Sequence, residues 1–323
     1  MNKKIIKQSF IVIIYGPTGV GKTDVALTLA HHFPSEIINM DVGQFYVPLS
    51  IGTAKPDWKK ESTPHHLFDI IDSQSNYTVT EYRNKVQTTI KDIINRGNLP
   101  ILVGGSGFYL HTLLFPPHTK TNEYTIQTQL LTKNSQELWD TLYSIDPQRA
   151  EKINKNDTYR IKRALEIWTQ TGQLPTSFVP YYEPLADYLL LYVIRDTSDL
   201  NEYISKRIHV MIQKGWIDET KKLMGTLWQT FIQKKKLIGY NEIFNFLQGN
   251  QDRTAFNSMI ELINNKTRQY AKRQRTFWRK LEREIKQQIN YNGSYIGCLE
   301  SLNLTNTDLQ LYINELLKRL VKR

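Results

Sequence analysis

The chain has 323 residues, 40% hydrophobic and 23% charged, the balance of a soluble globular protein with length for one large or two modest cores. Lys and Arg outnumber Asp and Glu by 42 to 31, and the resulting net charge of +11 points to a polyanionic partner. One cysteine, Cys298, excludes an internal disulfide framework and a cysteine-based zinc site, and no apolar run approaches the ~20 residues of a membrane span, so a cytoplasmic protein with no membrane partner is expected, and nothing in the sequence requires more than a monomer.

Lys3, Lys4 and Lys7 precede the apolar run Ile11–Ile14, which is too short for a signal peptide and reads as a buried strand. It runs into Gly16-Pro17-Thr18-Gly19-Val20-Gly21-Lys22-Thr23, which satisfies the P-loop spacing in full. Glycines in such a loop let consecutive backbone N–H groups wrap an anion, Lys22 supplies a point charge, and the Thr23 hydroxyl can ligate Mg²⁺. Asp24 to Ala30 form the first turns of a helix whose N-terminus adds partial positive charge. The usual occupant of this loop is a nucleotide such as ATP.

Glu36–Met40 is a second short strand, and Asp41 follows it. A carboxylate there can help hold Mg²⁺ or act as a general base; equally, it can cap a turn. Gly43 suggests that something approaches this loop closely. His65-His66 lacks a third ligand at metal spacing and is read as structural or substrate-lining. Thr78–Arg96 has helical spacing and stops at Gly97; Pro100–Val103 is a third buried strand leading into Gly104-Gly105-Ser106-Gly107, a tight turn before a helix that begins near Phe108. Strand and helix alternating, with glycines after strand ends, predict an α/β fold with a parallel sheet, P-loop NTPase-like and flanked by helices. The P-loop, Asp41 and the Gly104–Gly107 turn should then share one sheet edge.

Pro116-Pro117 marks a break, followed by helical patterns at Gln136–Ile145, Pro147–Ile153 and Asp157–Thr171 and a connector from Leu174 to Pro184. Tyr188–Ile194 is a strand that returns to the sheet. The predicted organisation is therefore a catalytic core of residues 1–115 and 185–323, interrupted by a helical insertion domain at 116–184. From Ser198 the chain reads as nearly all helix, with a long one over Arg253–Gln288. Segment 266–286 holds nine basic residues against Glu282 and Glu284, interleaved with Tyr270, Phe277 and Trp278. One face of such a helix can meet phosphates while Trp278, Leu281 and Ile285 pack inward. Arg160, Lys162 and Arg163 form a second basic cluster on the insertion, and Arg207 is a plausible anion ligand.

Several motifs in order resemble the tRNA dimethylallyltransferases (tRNA isopentenyltransferases). They are the P-loop at 16–23, Asp-Val-Gly-Gln-Phe-Tyr at 41–46, Ile-Gly-Thr-Ala-Lys-Pro at 51–56 and Pro-His-His-Leu-Phe-Asp-Ile at 64–70. Gly-Gly-Ser-Gly-Phe-Tyr-Leu at 104–110, Arg-Ala-Leu-Glu at 163–166, Ile-Gly-Tyr-Asn-Glu at 238–242 and Thr-Arg-Gln-Tyr-Ala-Lys-Arg-Gln-Arg-Thr-Phe-Trp-Arg at 267–279 complete the series. The resemblance spans residues 10–283, and with no zinc-finger tail it is to the bacterial form. It implies transfer of a dimethylallyl group from dimethylallyl diphosphate to N6 of the adenosine 3′-adjacent to the anticodon, with Mg²⁺ at Thr23. Carried over, Gly16, Pro17, Thr18, Gly19, Val20, Gly21, Lys22 and Thr23 bind the diphosphate, and Arg207 joins them. Asp41 matches the carboxylate that contacts N6 and can deprotonate it. Val42, Gly43, Gln44 and Ser106 fall near the tRNA. Tyr159, Arg160, Ile161, Lys162, Arg163, Lys236, Gly239, Tyr240, Lys272, Arg273, Gln274, Arg275 and Arg279 match tRNA-contacting stretches. The chain departs from the family at Val42, where Ser is usual, at Tyr159, where Gln is common, and at Tyr203, where Arg is common; residues 116–157 match poorly. The rival readings are a P-loop small-molecule kinase and an RNA-binding protein switched by a nucleotide.

Overall fold

A computed structural model describes residues 10–116, 133–178, 181–292 and 296–321; Lys3, Lys4, Lys7 and Pro117 lie outside them. Strand β1 (Phe10–Tyr15) is the apolar run before the P-loop, and its residues from Ile11 to Tyr15 are almost wholly shielded from solvent. Such a strand must be covered on both faces, which is the signature of an interior strand in a parallel sheet. It lies between β4 (Leu99–Gly104) and β5 (Asp187–Ile194), with Val12 opposite Ile101 on one side and Leu189 on the other. With β2 (Ser35–Asn39), β3 (His65–His66) and β6 (Gly297–Asn303) the sheet has six strands among the described residues, all parallel, in the order β3-β2-β4-β1-β5-β6.

Parallel pairing brings the strands' carboxyl ends to one edge. The P-loop after β1, Asp41 after β2, Gly105 after β4 and Arg195 after β5 therefore gather there, as strand-and-glycine order predicts. Helices α1 (Lys22–His32), α2 (Val79–Asn95) and α3 (Gly107–Leu114) connect the first strands. Thr78 and Glu81 close a reciprocal capping box at the start of α2, with bonds of 3.1 and 2.7 Å.

Two strands escape the sequence reading. β3 is two residues long, too short for any periodic signal. β6 has the composition Gly-Cys-Leu-Glu-Ser-Leu-Asn, and as an edge strand it is half-exposed, so no apolar run betrays it. Among the described residues the regular elements beyond Ser198 are thus helices apart from β6, which pairs with β5 over Tyr188–Ile194.

The chain divides into two compact units, residues 1–114 with 184–323, and residues 115–183. In the smaller unit, α4 (Ser135–Ile145), α5 (Pro147–Glu151) and α6 (Thr158–Thr171) enclose their own core of Leu138, Leu142, Ala150, Ile161 and Leu165. Asp146 caps α5 at Arg149 and also accepts from the Thr176 N–H at 2.8 Å. In the larger unit, α7 (Thr197–Gln213), α8 (Trp216–Leu223), α9 (Leu227–Lys235), α10 (Tyr240–Gln248) and the 40-residue α11 (Arg253–Asn292) follow β5, and α12 (Leu309–Val321) follows β6.

Candidate active site

The P-loop takes its shape from its glycines. Gly19 and Gly21 have φ of 79° and 100°, which any side chain would resist, and a Cβ on Gly16 would lie 2.4 Å from the Val193 carbonyl. Val20 is buried, and its carbonyl accepts from Arg195 Nε at 3.0 Å. Arg195 is held in turn by Asp199 (2.9 Å) and by the ring of Tyr203, 3.7 Å from its guanidinium carbon. The departure from arginine at position 203 thus supplies an aromatic platform for a neighbouring arginine. Lys22 Nζ donates to the Pro17 carbonyl at 2.9 Å and has no ion-pair partner among the described residues. Burial pulls its pKa down to about 8; Asp41 opposes that shift and Arg207 reinforces it.

Of the two sequence readings of Asp41, the capping one is seen in part of its carboxylate. Oδ1 caps the 3-10 turn Val42–Phe45 by accepting from the Gly43 N–H at 3.1 Å. Oδ2 accepts no hydrogen bond among the described residues. The Asp41 backbone is fixed by Asn39, which is buried and bonds Asp41 at both N–H (2.8 Å) and C=O (3.2 Å). Arg207, reaching in from α7, forms neither a hydrogen bond nor an ion pair among the described residues. Its pKa is lowered by burial, against the pull of Asp41 and Asp24. Two under-partnered cations beside a carboxylate with a free oxygen make a site suited to an anion.

Two cavities meet here. One, about 470 Å³, is lined by Gly21, Lys22, Thr23, Asp24, Gln44 and Lys55. The other, about 460 Å³, is lined by Val42, Gly43, Ser106, Lys236 and Arg273 and has apolar walls of Ile204, Ile208, Leu237, Ile238 and Tyr240. Thr18, Gly19, Asp41, Arg207 and Met211 border both. The first is shaped for a phosphate compound and the second for an apolar or planar group. Thr23 Oγ1, Asp24 and Asp41 give the first a set of hard oxygen donors of the kind that shares Mg²⁺ with substrate phosphates.

Helix α11 closes the site. Gln274 is 6% exposed; its Oε1 accepts from the Thr18 N–H at 2.9 Å, and its Nε2 donates to the Gly105 carbonyl at 2.7 Å. It therefore staples the P-loop to the turn after β4. Gly107 is needed because a Cβ would sit 2.4 Å from the Phe277 ring. Trp278 stacks on Tyr192 (centroids 4.4 Å, 17°), and Leu281 and Ile285 are buried below it. The opposite face carries the charge: Arg268, Lys272, Arg273 and Arg279 are exposed and have no acidic partner among the described residues, and Arg273 lies over the Tyr270 ring at 5.6 Å. Tyr270 is itself 37% exposed and lines the same cavity as Arg273.

The remaining expected contact residues have varied surroundings. Arg275 donates to the Arg195 carbonyl (2.9 Å) and to Thr197 Oγ1 (3.1 Å), a structural tie. Gly239 has φ of 90° and lies against the Trp216 ring, and Tyr240 gives its hydroxyl to Glu219. In the smaller unit Tyr159 is 80% exposed and Arg160 projects to solvent beside Asp157, Lys162 is half-buried, Arg163 lies beside Glu166, and Ile161 is wholly within that unit's core. His66 bonds Glu36, which also takes Arg96 and Asn98; among the described residues no cluster of three or more metal-ligating side chains occurs.

A family model described as IPP transferase matches residues 44–281. The chain belongs to the IPP transferase family. Among IPP transferase relatives, a tRNA dimethylallyltransferase of Petrotoga mobilis is 38% identical over 279 residues, covering 84% of this chain and 91% of its own. One from Halothermothrix orenii is 36% identical over 293 residues, covering 86% and 88%. Among solved structures, a tRNA isopentenylpyrophosphate transferase of Staphylococcus epidermidis aligns with 98% of this chain and 99% of its own at a TM-score of 0.62 and 28% identity. A eukaryotic dimethylallyltransferase acting on tRNA aligns with 92% of this chain and 74% of its own at a TM-score of 0.78 and 29% identity. The resemblance read from the ordered motifs is thereby established, as is the P-loop NTPase-like fold. No helix among the described residues is long and apolar enough to cross a membrane.

Proposed function

We propose that this transferase moves the dimethylallyl group of dimethylallyl diphosphate onto N6 of the adenosine 3′-adjacent to the anticodon in tRNA, giving N6-isopentenyladenosine and diphosphate. The observation that carries this reading is the junction of the two cavities, where Asp41 and the unpaired Arg207 border both a phosphate-type loop and an apolar chamber. A nucleotide switch has no use for that carboxylate. A small-molecule kinase has no use for the exposed basic face of α11, which supports a polyanionic substrate.

Adenine N6 is a weak nucleophile because its lone pair is delocalised into the ring. The reaction needs a stabilised leaving group, an allylic carbon shielded from water, and an acceptor for the N6 proton. The N6–carbon bond forms as the carbon–oxygen bond to diphosphate breaks. Lys22, Arg207 and the P-loop N–H groups meet the charge that grows on the diphosphate. Ile204, Ile208 and Met211 keep water from the allylic carbon. Asp41 Oδ2 orients the amine and takes its proton. Thr23 would help to hold Mg²⁺, which would supply further charge neutralisation. The base has to leave its stack to reach this depth. Incubation with unmodified tRNA and labelled dimethylallyl diphosphate should place label on the tRNA. No label, together with ATP turnover on a small alcohol, would reverse the assignment in favour of a kinase.

A further inference from the structure

The Ile51-Gly52-Thr53-Ala54-Lys55-Pro56 motif supplies no reacting group, yet it walls both cavities: Ile51 and Ala54 border one, Gly52 and Thr53 the other. Its conformation is set from α8. The N–H groups of Ser50, Ile51 and Gly52 converge on the Glu219 carboxylate at 3.0, 2.7 and 3.0 Å, and the Tyr240 hydroxyl donates to Glu219 Oε1 at 2.7 Å. Each oxygen accepts twice, so the carboxylate is fully used. Three successive backbone donors turned inward form an anion nest, and here a protein carboxylate fills it. Behind the nest there is no slack. A Cβ on Gly52 would lie 2.1 Å from Trp216 Nε1 and 2.4 Å from the Tyr240 ring.

The far side of the motif rests on the segment that carries Asp41. A Cβ on Gly43 would be 2.7 Å from the Thr53 methyl, and Gln44 Nε2 donates to the Thr53 carbonyl at 3.1 Å. Lys55 donates to the Tyr46 carbonyl at 2.8 Å and pairs with Asp69. Gly43 in turn gives its N–H to Asp41 Oδ1. Contacts therefore run without a gap from Glu219, through residues 50–54 and the 43–44 turn, to the Asp41 carboxylate.

We infer that Glu219 is a positioning residue for the transfer: by clamping residues 50–52 it fixes the direction of Asp41 Oδ2 relative to the P-loop. The inference rests on the proposed role of Asp41. Displacing a proton acceptor by an ångström or less leaves substrate binding almost intact but slows the chemical step, by up to about 100-fold. Glu219→Gln is isosteric but turns one oxygen into an NH₂ group that cannot accept from an N–H. It should lower kcat at least tenfold, with KM for dimethylallyl diphosphate and for tRNA within threefold, and should raise amide exchange at Ser50, Ile51 and Gly52. A loss smaller than tenfold, or one confined to KM, overturns the inference. Tyr240→Phe removes one bond of the four and serves if Glu219→Gln does not fold: a two- to tenfold fall in kcat at unchanged KM supports the clamp, and an unchanged kcat refutes it. Failure of the functional reading itself looks different, because the unaltered protein would then not label tRNA at all.

Discussion

Gln274 offers the sharpest test of how the active site is assembled. Replacing it with Leu conserves volume but removes the partner of the Thr18 N–H and of the Gly105 carbonyl, both within a side-chain environment that is 6% exposed. A buried polar group left without a partner costs about 1–3 kcal/mol, so the two together should cost about 2–6 kcal/mol. For a body of this size, 1 kcal/mol lowers Tm by about 2–4 °C, and the expected fall is therefore about 4–24 °C. Gln274→Glu separates the bond from the charge. It keeps an acceptor for Thr18 but sets a carboxylate oxygen against the Gly105 carbonyl, close to Lys22, whose Nζ and Gln274 Nε2 both flank the Gly105 α-carbon. That change should raise KM for dimethylallyl diphosphate by repelling its leaving group. Differential scanning calorimetry and steady-state kinetics on both variants decide the matter. If Gln274→Leu melts within 1 °C of the parent and weakens only tRNA binding, the staple is unimportant and the residue acts as an RNA contact.

The remaining expectations concern charge. Lys22, with a pKa near 8, is charged below that pH and loses its charge as pH rises through it. kcat/KM for dimethylallyl diphosphate, which reports the free enzyme, should fall above about pH 8, and the fall in kcat should come at higher pH because bound diphosphate stabilises the cation. A flat profile to pH 9.5 would contradict this. Asp41→Asn keeps an oxygen for the Gly43 cap but cannot take a proton, so transfer should drop at least 100-fold while tRNA affinity, measured by filter binding, stays within threefold. Replacing Lys272 and Arg273 by Ala should flatten the slope of log affinity against log salt by about 1–2, and an unchanged slope would remove both from the tRNA surface. Arg96, with help from Asn98 and His66, holds the Glu36 carboxyl down to about 2. This stabilisation is complete above the unfolded carboxylate range near 4.5 and disappears as pH falls through 2. With Arg96 half-exposed it is about 1–3 kcal/mol. Urea melts of Glu36→Gln should accordingly differ from the parent at pH 7 and converge with it near pH 2.

Features written locally were legible in the sequence. β1 with its P-loop, the Asp41 turn and the glycines after β4 each carry their signal within a few residues, and parallel topology then brings them together. The split character of α11 was readable too, since Trp278, Leu281 and Ile285 recur at helical spacing between basic residues. What stayed hidden depends on partners far apart in the chain. Gln274 lies inside a basic run and reads as one more polar contact, because Thr18, its partner, is 256 residues away. Glu219 sits in an ordinary amphipathic helix, 167 to 169 residues from the amides it gathers. Arg275 is counted with the RNA-facing charges by composition, yet it is spent on the Arg195 carbonyl. β6 is concealed because an edge strand needs no apolar pattern.

The position of β6 also sets the order in which this enzyme can be finished. Synthesis delivers β1 and the P-loop first, but the outer edge of β5, apolar along Tyr188–Val193, has no strand beside it until residues 297–303 emerge from the ribosome. The same late segment supplies Leu304, whose carbonyl meets Arg195 and whose side chain lies against Gly21, and Thr305, which bonds Asp199. The first loop to be translated is thus the last to be braced. A nascent chain exposes an adhesive sheet edge for more than a hundred codons after β5, which makes that interval the one in which a chaperone has most to protect.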